Sequence, residues 1–314
     1  MIGDNRVSSS EITARPIADT ALPRDLTRDY MIDKYEYLSS IGIWPGRNVI
    51  DTNSWLSNFL DEELEHALYL LNAFMYFSTT LVDQIFSASI RSIGRLMTED
   101  QWRGFLDSLL ITLVTGEVPN VTDSGYLYVR RAREFGIPQE RIVSPEQACE
   151  RIRSGFSGPV VFVDDLVGTG SQFIETWHRS DGTQDESFAA LAPVTTAQFY
   201  YCPAFCTYFG VRQINCTCPN VTVSSGVFIP ANYGALAPDS VIWPSHLKST
   251  ATDFLLSASQ RAGIPDTGGT TPDDWRGFEA LGLTIAFERS VPDATLPIIY
   301  WDRNGWRPLI RRTA

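Results

Sequence analysis

The sequence predicts an α/β fold, a doubly wound and mainly parallel sheet with a helical addition before it and an α+β addition after it. Three observations carry that expectation. Short, largely apolar runs at residues 109–114, 160–163 and 196–202 read as strands, the first of buried type. Helical stretches at residues 124–134, 145–153 and 170–178 alternate with them. Strand and helix in this alternation make parallel βαβ units. Ligands of open sheets of that kind bind outside the carboxyl ends of the strands, here residues 117–123 and 164–170.

The elements follow in order. Residues 1–26 are polar and aperiodic, hold Pro16 and Pro23, and are expected to form a flexible lead-in. From Asp51 the pattern turns helical, with Leu56, Phe59, Leu60, Leu64, Leu68 and Leu71 at three-to-four spacing. A second helix is expected over 79–96, with Val82, Ile85, Phe86, Ile90 and Ile93 inward. A third should open at Thr98, a capping residue ahead of Glu99 and Asp100. The helix over 124–134 stops at Gly136 and Pro138, residues 141–143 read as a short strand, and Pro145 suits the first turn of a helix. Beyond 220, residues 221–223 and 226–229 look like strands and 249–262 like a helix. The tail should turn as a β-hairpin at Asp302, Arg303, Asn304 and Gly305. The expected domains are therefore the lead-in, a helical addition over 27–105, a core over 106–220, and an α+β addition over 221–314 packed on that core.

Composition narrows the function. The 314 residues carry a formal net charge of -12, which disfavours nonspecific binding to nucleic acid or anionic membranes. No apolar run approaches the ~20 residues that span a bilayer, and the first residues lack a secretory layout, so a cytoplasmic protein is expected. Four of the five cysteines, Cys202, Cys206, Cys216 and Cys218, fall close together. Four thiolates can hold Zn2+. Their spacing is not that of paired C-x2-C knuckles, however, and Cys202 sits in the apolar run QFYYC. Buried structural cysteines are the preferred reading.

The chemistry concentrates in VVFVDDLVGTGS, residues 160–171. An apolar strand ending in two acids suits the magnesium-holding strand of a P-loop hydrolase, but that site needs a Gly-Lys pair. Of the 25 basic residues only Lys34 and Lys248 are lysines, preceded by Asp33 and Leu247, which removes the reading. A dinucleotide fingerprint fits poorly, since Phe173 stands where the third glycine belongs. A buried strand ending in a capped turn, with no ligand, stays open on the residues alone.

The run also resembles the motif of type I phosphoribosyltransferases, in which apolar residues, two acids, two further apolar residues and a small hydroxyl-rich turn follow one another. The resemblance implies a type I phosphoribosyltransferase-like fold and a site for phosphoribosyl pyrophosphate with Mg2+. Asp164 and Asp165 would accept hydrogen bonds from the ribose hydroxyls, directly or through magnesium-bound water. Leu166, Val167, Gly168, Thr169, Gly170 and Ser171 would hold the 5'-phosphate at a helix N-terminus. Residues 117–125 would grip pyrophosphate, with Pro119, Thr122, Ser124 and Gly125 in that loop.

The chain departs from the family pattern in one place. Catalytic members carry a mobile lid between the second and third core strands, whereas residues 144–159 hold little more than the helix SPEQACERIRSG. The stretches NSWLSNFLDEELEHALYLLNAFMYFS, VDDLVGTGSQF and VPDATLPIIYWDRNGWRPLIRR are similar to phosphoribosyltransferase-like proteins of bacterial conflict and antiphage systems. That implies transfer or cleavage at the ribose anomeric carbon and a protein partner in a defence operon, or a non-catalytic nucleotide sensor on the same fold. Trp301 and Trp306 in the tail are expected to anchor packing.

Overall fold

The computed structural model describes residues 26–115, 128–129, 131, 133–180 and 187–312. Its elements are, in chain order, α1 (Arg28–Ser40), α2 (Thr52–Leu56), α3 (Leu64–Ala73), β1 (Met75–Phe77), α4 (Thr79–Ile93), α5 (Glu99–Ser108), β2 (Leu110–Leu113), α6 (Pro145–Arg153), β3 (Pro159–Val167), α7 (Ser171–His178), α8 (Phe188–Leu191), β4 (Gln198–Thr207), α9 (Tyr208–Thr217), β5 (Val221–Val223), β6 (Val227–Ile229), α10 (Ala251–Ala262) and β7 (Ile285–Phe287). The described residues divide into two compact units, one within 83–229 and one joining 26–82 to 230–312. No helix among the described residues is long and apolar enough to cross a membrane.

The first unit is a doubly wound parallel sheet. β2, β3 and β4 lie side by side, and β5 and β6 both pair with β4. Every ladder is parallel. Ile142 bridges Ile111 on the outer edge of β2, so the expected strand at 141–143 is reduced to a single bridge. Chain order therefore reverses between β2 and β3, and a crevice at such a reversal is where open α/β sheets bind ligands. On one face Phe162, Phe199 and Tyr201 meet Phe173, Trp177 and Phe188 of the helices. On the other, Phe86 and Ser89 of α4 and Phe105 of α5 approach Tyr128, Cys202 and Tyr200. Thr98 caps α5 as expected, and both Thr98 and Ser144 close capping boxes at the starts of α5 and α6.

Two strands run longer than expected. β3 continues through both acids to Val167, and β4 continues through Pro203 to Thr207. Proline is tolerated inside β4 because β5 ends opposite Tyr201 and β6 begins opposite Phe205, so the missing N–H falls in the break between them. The core sheet thus extends to Ile229, past the boundary expected at 220.

The second unit joins the two ends of the chain. β1 pairs with β7, and Ile50 bridges Ile310. Both Trp55 and Trp306 donate their indole N–H to the Ile298 carbonyl, at 2.9 and 3.1 Å. Trp301 donates to Ala262 O at 2.9 Å, and all three indoles are buried packing anchors. The helical and α+β additions expected as separate domains therefore share one hydrophobic core, while most of α4 and all of α5 belong with the sheet.

Two local expectations change here. The run from Asp51 is not one helix, because α2 stops at Ser57 and the chain re-enters a helix only after Leu60, which is exposed. The tail makes its turn, with Asn304 and Gly305 at φ of 54° and 76°, but no hairpin ladder flanks it. Pro297 and Pro308, one on each arm, supply no N–H for such a ladder.

Candidate functional site

The site starts where β3 leaves the core. Val160, Val161, Phe162 and Val163 are fully buried, and Asp164 is only 4% exposed. Asp164 Oδ1 accepts the Asp165 N–H at 2.9 Å, and Oδ2 accepts the Tyr201 hydroxyl at 2.9 Å. Asp165 is partly exposed, and its Oδ1 accepts the Leu166 N–H at 2.6 Å. Leu166 and Val167 pair with Phe205 and Cys206, so these two residues, expected in the phosphate loop, are still strand. The turn proper is Gly168, Thr169 and Gly170.

That turn is shaped by glycines and held from two sides. Gly170 is the N-cap of α7 at φ 87°, a left-handed conformation that side chains other than glycine rarely adopt. Across from it, Gly210 of α9 lies so close that an added Cβ would come within 2.6 Å of the Gly168 carbonyl. Thr207 caps α9 by accepting the Gly210 N–H at 3.0 Å, and its hydroxyl donates to the Gly168 carbonyl. Thr169 and Ser171 hydroxyls lie 2.9 Å apart.

The neighbouring strand end is tied to the same helix. Thr115, just past β2, donates its N–H to Thr176 Oγ1 at 3.2 Å and receives the Thr176 hydroxyl on its carbonyl at 3.0 Å. Arg179 donates to the Thr115 hydroxyl. The chain beyond β2 therefore departs from a point fixed to α7. Pro119, Thr122, Ser124 and Gly125, expected to hold pyrophosphate, lie outside the described residues.

Burial dominates the electrostatics. Burial first, and the charge of Asp165 second, hold the Asp164 carboxyl well above the usual carboxylate range, although the Asp165 N–H and Tyr201 oppose them. Burial and then Asp164 raise the Tyr201 phenol. Burial, Asp165 and Asp164 together raise that of Tyr128, which is itself buried.

Two adjacent carboxylates offer only oxygen donors, the chemistry of a hard cation such as Mg2+ that keeps waters and shares ligand phosphates. Among the described residues no group of three or more His, Cys, Asp or Glu is placed to hold a metal. Cys202 and Cys206 lie in β4, Cys216 is exposed on α9, and Cys218 follows it; all are free thiols. Burial raises the Cys202 and Cys206 thiols and pushes Cys218 up to about 12.

Sequence reasoning missed Tyr201, Thr207, Gly210, Thr115, Thr176 and Arg179. Gly210 alone carried a local signal, a glycine in the first turn of a helix. The others became visible only once the strand register was known.

With the geometry in place, a family model described as PRTase-CE matches residues 52–312. The chain belongs to the PRTase-CE family. This is a phosphoribosyltransferase-type family, and the doubly wound parallel sheet agrees with it. The match covers both compact units, so the second unit is part of the PRTase-CE family unit. No curated protein matches the chain significantly.

Proposed function

We propose that this PRTase-CE protein binds phosphoribosyl pyrophosphate, or a nucleotide bearing the same ribose 5'-phosphate, at the carboxyl ends of β2 and β3. The observation that carries the proposal is an acidic pair near the end of β3, Asp164 buried and Asp165 half-buried, followed after a short turn by a left-handed glycine that opens a helix. The backbone N–H groups of Gly168 to Ser171, with the Thr169 and Ser171 hydroxyls, would hold the 5'-phosphate at the N-terminus of α7. The acidic end of β3 would accept the ribose hydroxyls, and the loop after β2, with Pro119, Thr122, Ser124 and Gly125, would take the pyrophosphate.

Mg2+ fits the acidic pair and, when bound, supplies positive charge against the phosphate oxygens. In a transfer reaction an acceptor forms a bond to the anomeric carbon as the bond to pyrophosphate oxygen breaks. The leaving group departs with the electron pair, and the ribose gains oxocarbenium character. The fold contributes orientation and fixed N–H dipoles.

A second reading is favoured by one observation. Between Ile142 and β3 lies α6 with only a short turn after it, which leaves little chain for a lid. A cradle without a lid suits a nucleotide sensor that signals to a protein partner in a defence operon. Incubation with phosphoribosyl pyrophosphate, magnesium and a panel of bases, followed by pyrophosphate release, separates the two. Turnover supports the transferase, and binding without release supports the sensor. In either role the ligand is a small nucleotide. A net charge of -12 disfavours nucleic acid as the partner.

A further inference from the structure

The resemblance to type I phosphoribosyltransferases assigns both acids to the ribose, but their surroundings differ. Asp164 is 4% exposed, and each of its oxygens already accepts a hydrogen bond, from the Asp165 N–H and from the Tyr201 hydroxyl. Asp165 is partly exposed. Tyr201 is 1% exposed, and its ring stacks on Phe173 of α7, with centroids 4.1 Å apart and an interplanar angle of 15°. Phe173 stands three residues after Gly170, the cap that shapes the turn. A continuous path therefore runs from the phosphate turn through Phe173 and Tyr201 to Asp164, and from Asp164 Oδ1 to the backbone of Asp165.

We infer that the two acids have divided roles, with Tyr201 a positioning residue that locks Asp164 as a buried support and Asp165 the carboxylate presented to the ribose or its cation. This rests on the ribose-phosphate reading above. On this assignment the hydrogen-bonded frame at Asp164 matters and its charge does not. Asparagine at 164 keeps an acceptor for the Asp165 N–H, and its amide can pair with the rotatable Tyr201 hydroxyl. Phenylalanine at 201 keeps the stack on Phe173 but releases Asp164. Asparagine at 165 removes the charge that meets the ligand.

The test is calorimetric titration of the full chain and its variants with magnesium phosphoribosyl pyrophosphate, with thermal melts to confirm folding. Asp165→Asn should weaken binding about 100-fold, the scale of a charged hydrogen bond. Tyr201→Phe should weaken it about 5-fold and Asp164→Asn less than about 3-fold, both on the scale of a neutral hydrogen bond. Tyr201→Phe should have no further effect in an Asp164→Ala background, which a purely structural tyrosine would not satisfy. Wild-type binding with Asp164→Asn as damaging as Asp165→Asn, and with Tyr201→Phe silent, overturns the division of roles and leaves the functional reading standing. Absence of wild-type binding removes the functional reading and this inference with it.

Discussion

Asp164 in the sheet unit and Asp274 in the second unit are both closed off, at 4% and 0% exposure, yet their surroundings treat the charge in opposite ways. Around Asp274, burial pushes the carboxyl up, but the N–H groups of Arg276, Gly269 and Thr267 outweigh it and bring it down to about 2. Arg276 adds a hydrogen bond at 3.1 Å and reaches Asp266 at 2.7 Å. Around Asp164, burial and the charge of Asp165 prevail over the donors, and the carboxyl is held high. The first arrangement stabilises a loop. The second buries a carboxyl whose charged form is disfavoured beside a glycine turn, the kind of perturbed group that clusters at functional sites.

The largest expected effect breaks the structural side of this contrast. Asp274→Ala should destabilise the chain by roughly 3 to 5 kcal/mol, since it strips a buried, multiply bonded carboxylate from its donors. Denaturant unfolding of the variant checks this, and ligand affinity of the remaining folded protein should be unchanged.

Gly210→Ala comes next. A Cβ 2.6 Å from the Gly168 carbonyl forces α9 away from the turn, at about 1 to 3 kcal/mol, and here ligand affinity should fall with stability. Loss of stability with intact binding would separate α9 from the site.

Asp164→Asn should have the reverse sign of Asp274→Ala. Removing a disfavoured charge should stabilise the unliganded chain at neutral pH by about 1 kcal/mol, or a few degrees in melting temperature. A lower melting temperature would place Asp164 with Asp274 as a structural carboxylate.

The smallest effect is the pH dependence. With a folded value of about 2, Asp274 contributes stability that is present above the ordinary carboxylate range and lost as pH falls toward 2. Asp164, raised in the fold, favours the folded state on the acid side, and that contribution is lost as pH rises through its folded value. Melts of Asp274→Asn and Asp164→Asn between pH 3 and 7 should therefore both depart from wild type toward pH 7, Asp274→Asn to lower and Asp164→Asn to higher melting temperature.

How far the sequence reached depended on whether a feature was local. The short runs of β2, β5 and β6, the cap at Thr98, and the acid-then-glycine motif are written in adjacent residues and were readable. The expected strand stopped at Cys202, because the place of Pro203 inside β4 depends on a gap between β5 and β6 that only register shows. Tyr201 read as one more apolar strand residue, although its hydroxyl reaches an acid 37 positions away. The shared core of the two chain ends rests on contacts such as Trp55 to Ile298, separated by 243 positions, which no local pattern encodes.

The central claim is that the turn from Asp164 to Ser171 is a ribose-phosphate cradle. Calorimetric titration of the wild-type chain with phosphoribosyl pyrophosphate, with and without magnesium, tests it most directly. The account predicts saturable binding that strengthens with magnesium and is lost in Gly170→Val, whose side chain meets Ile214 and cannot hold the left-handed cap. The absence of saturable binding under both conditions, or equal binding by Gly170→Val, would contradict it.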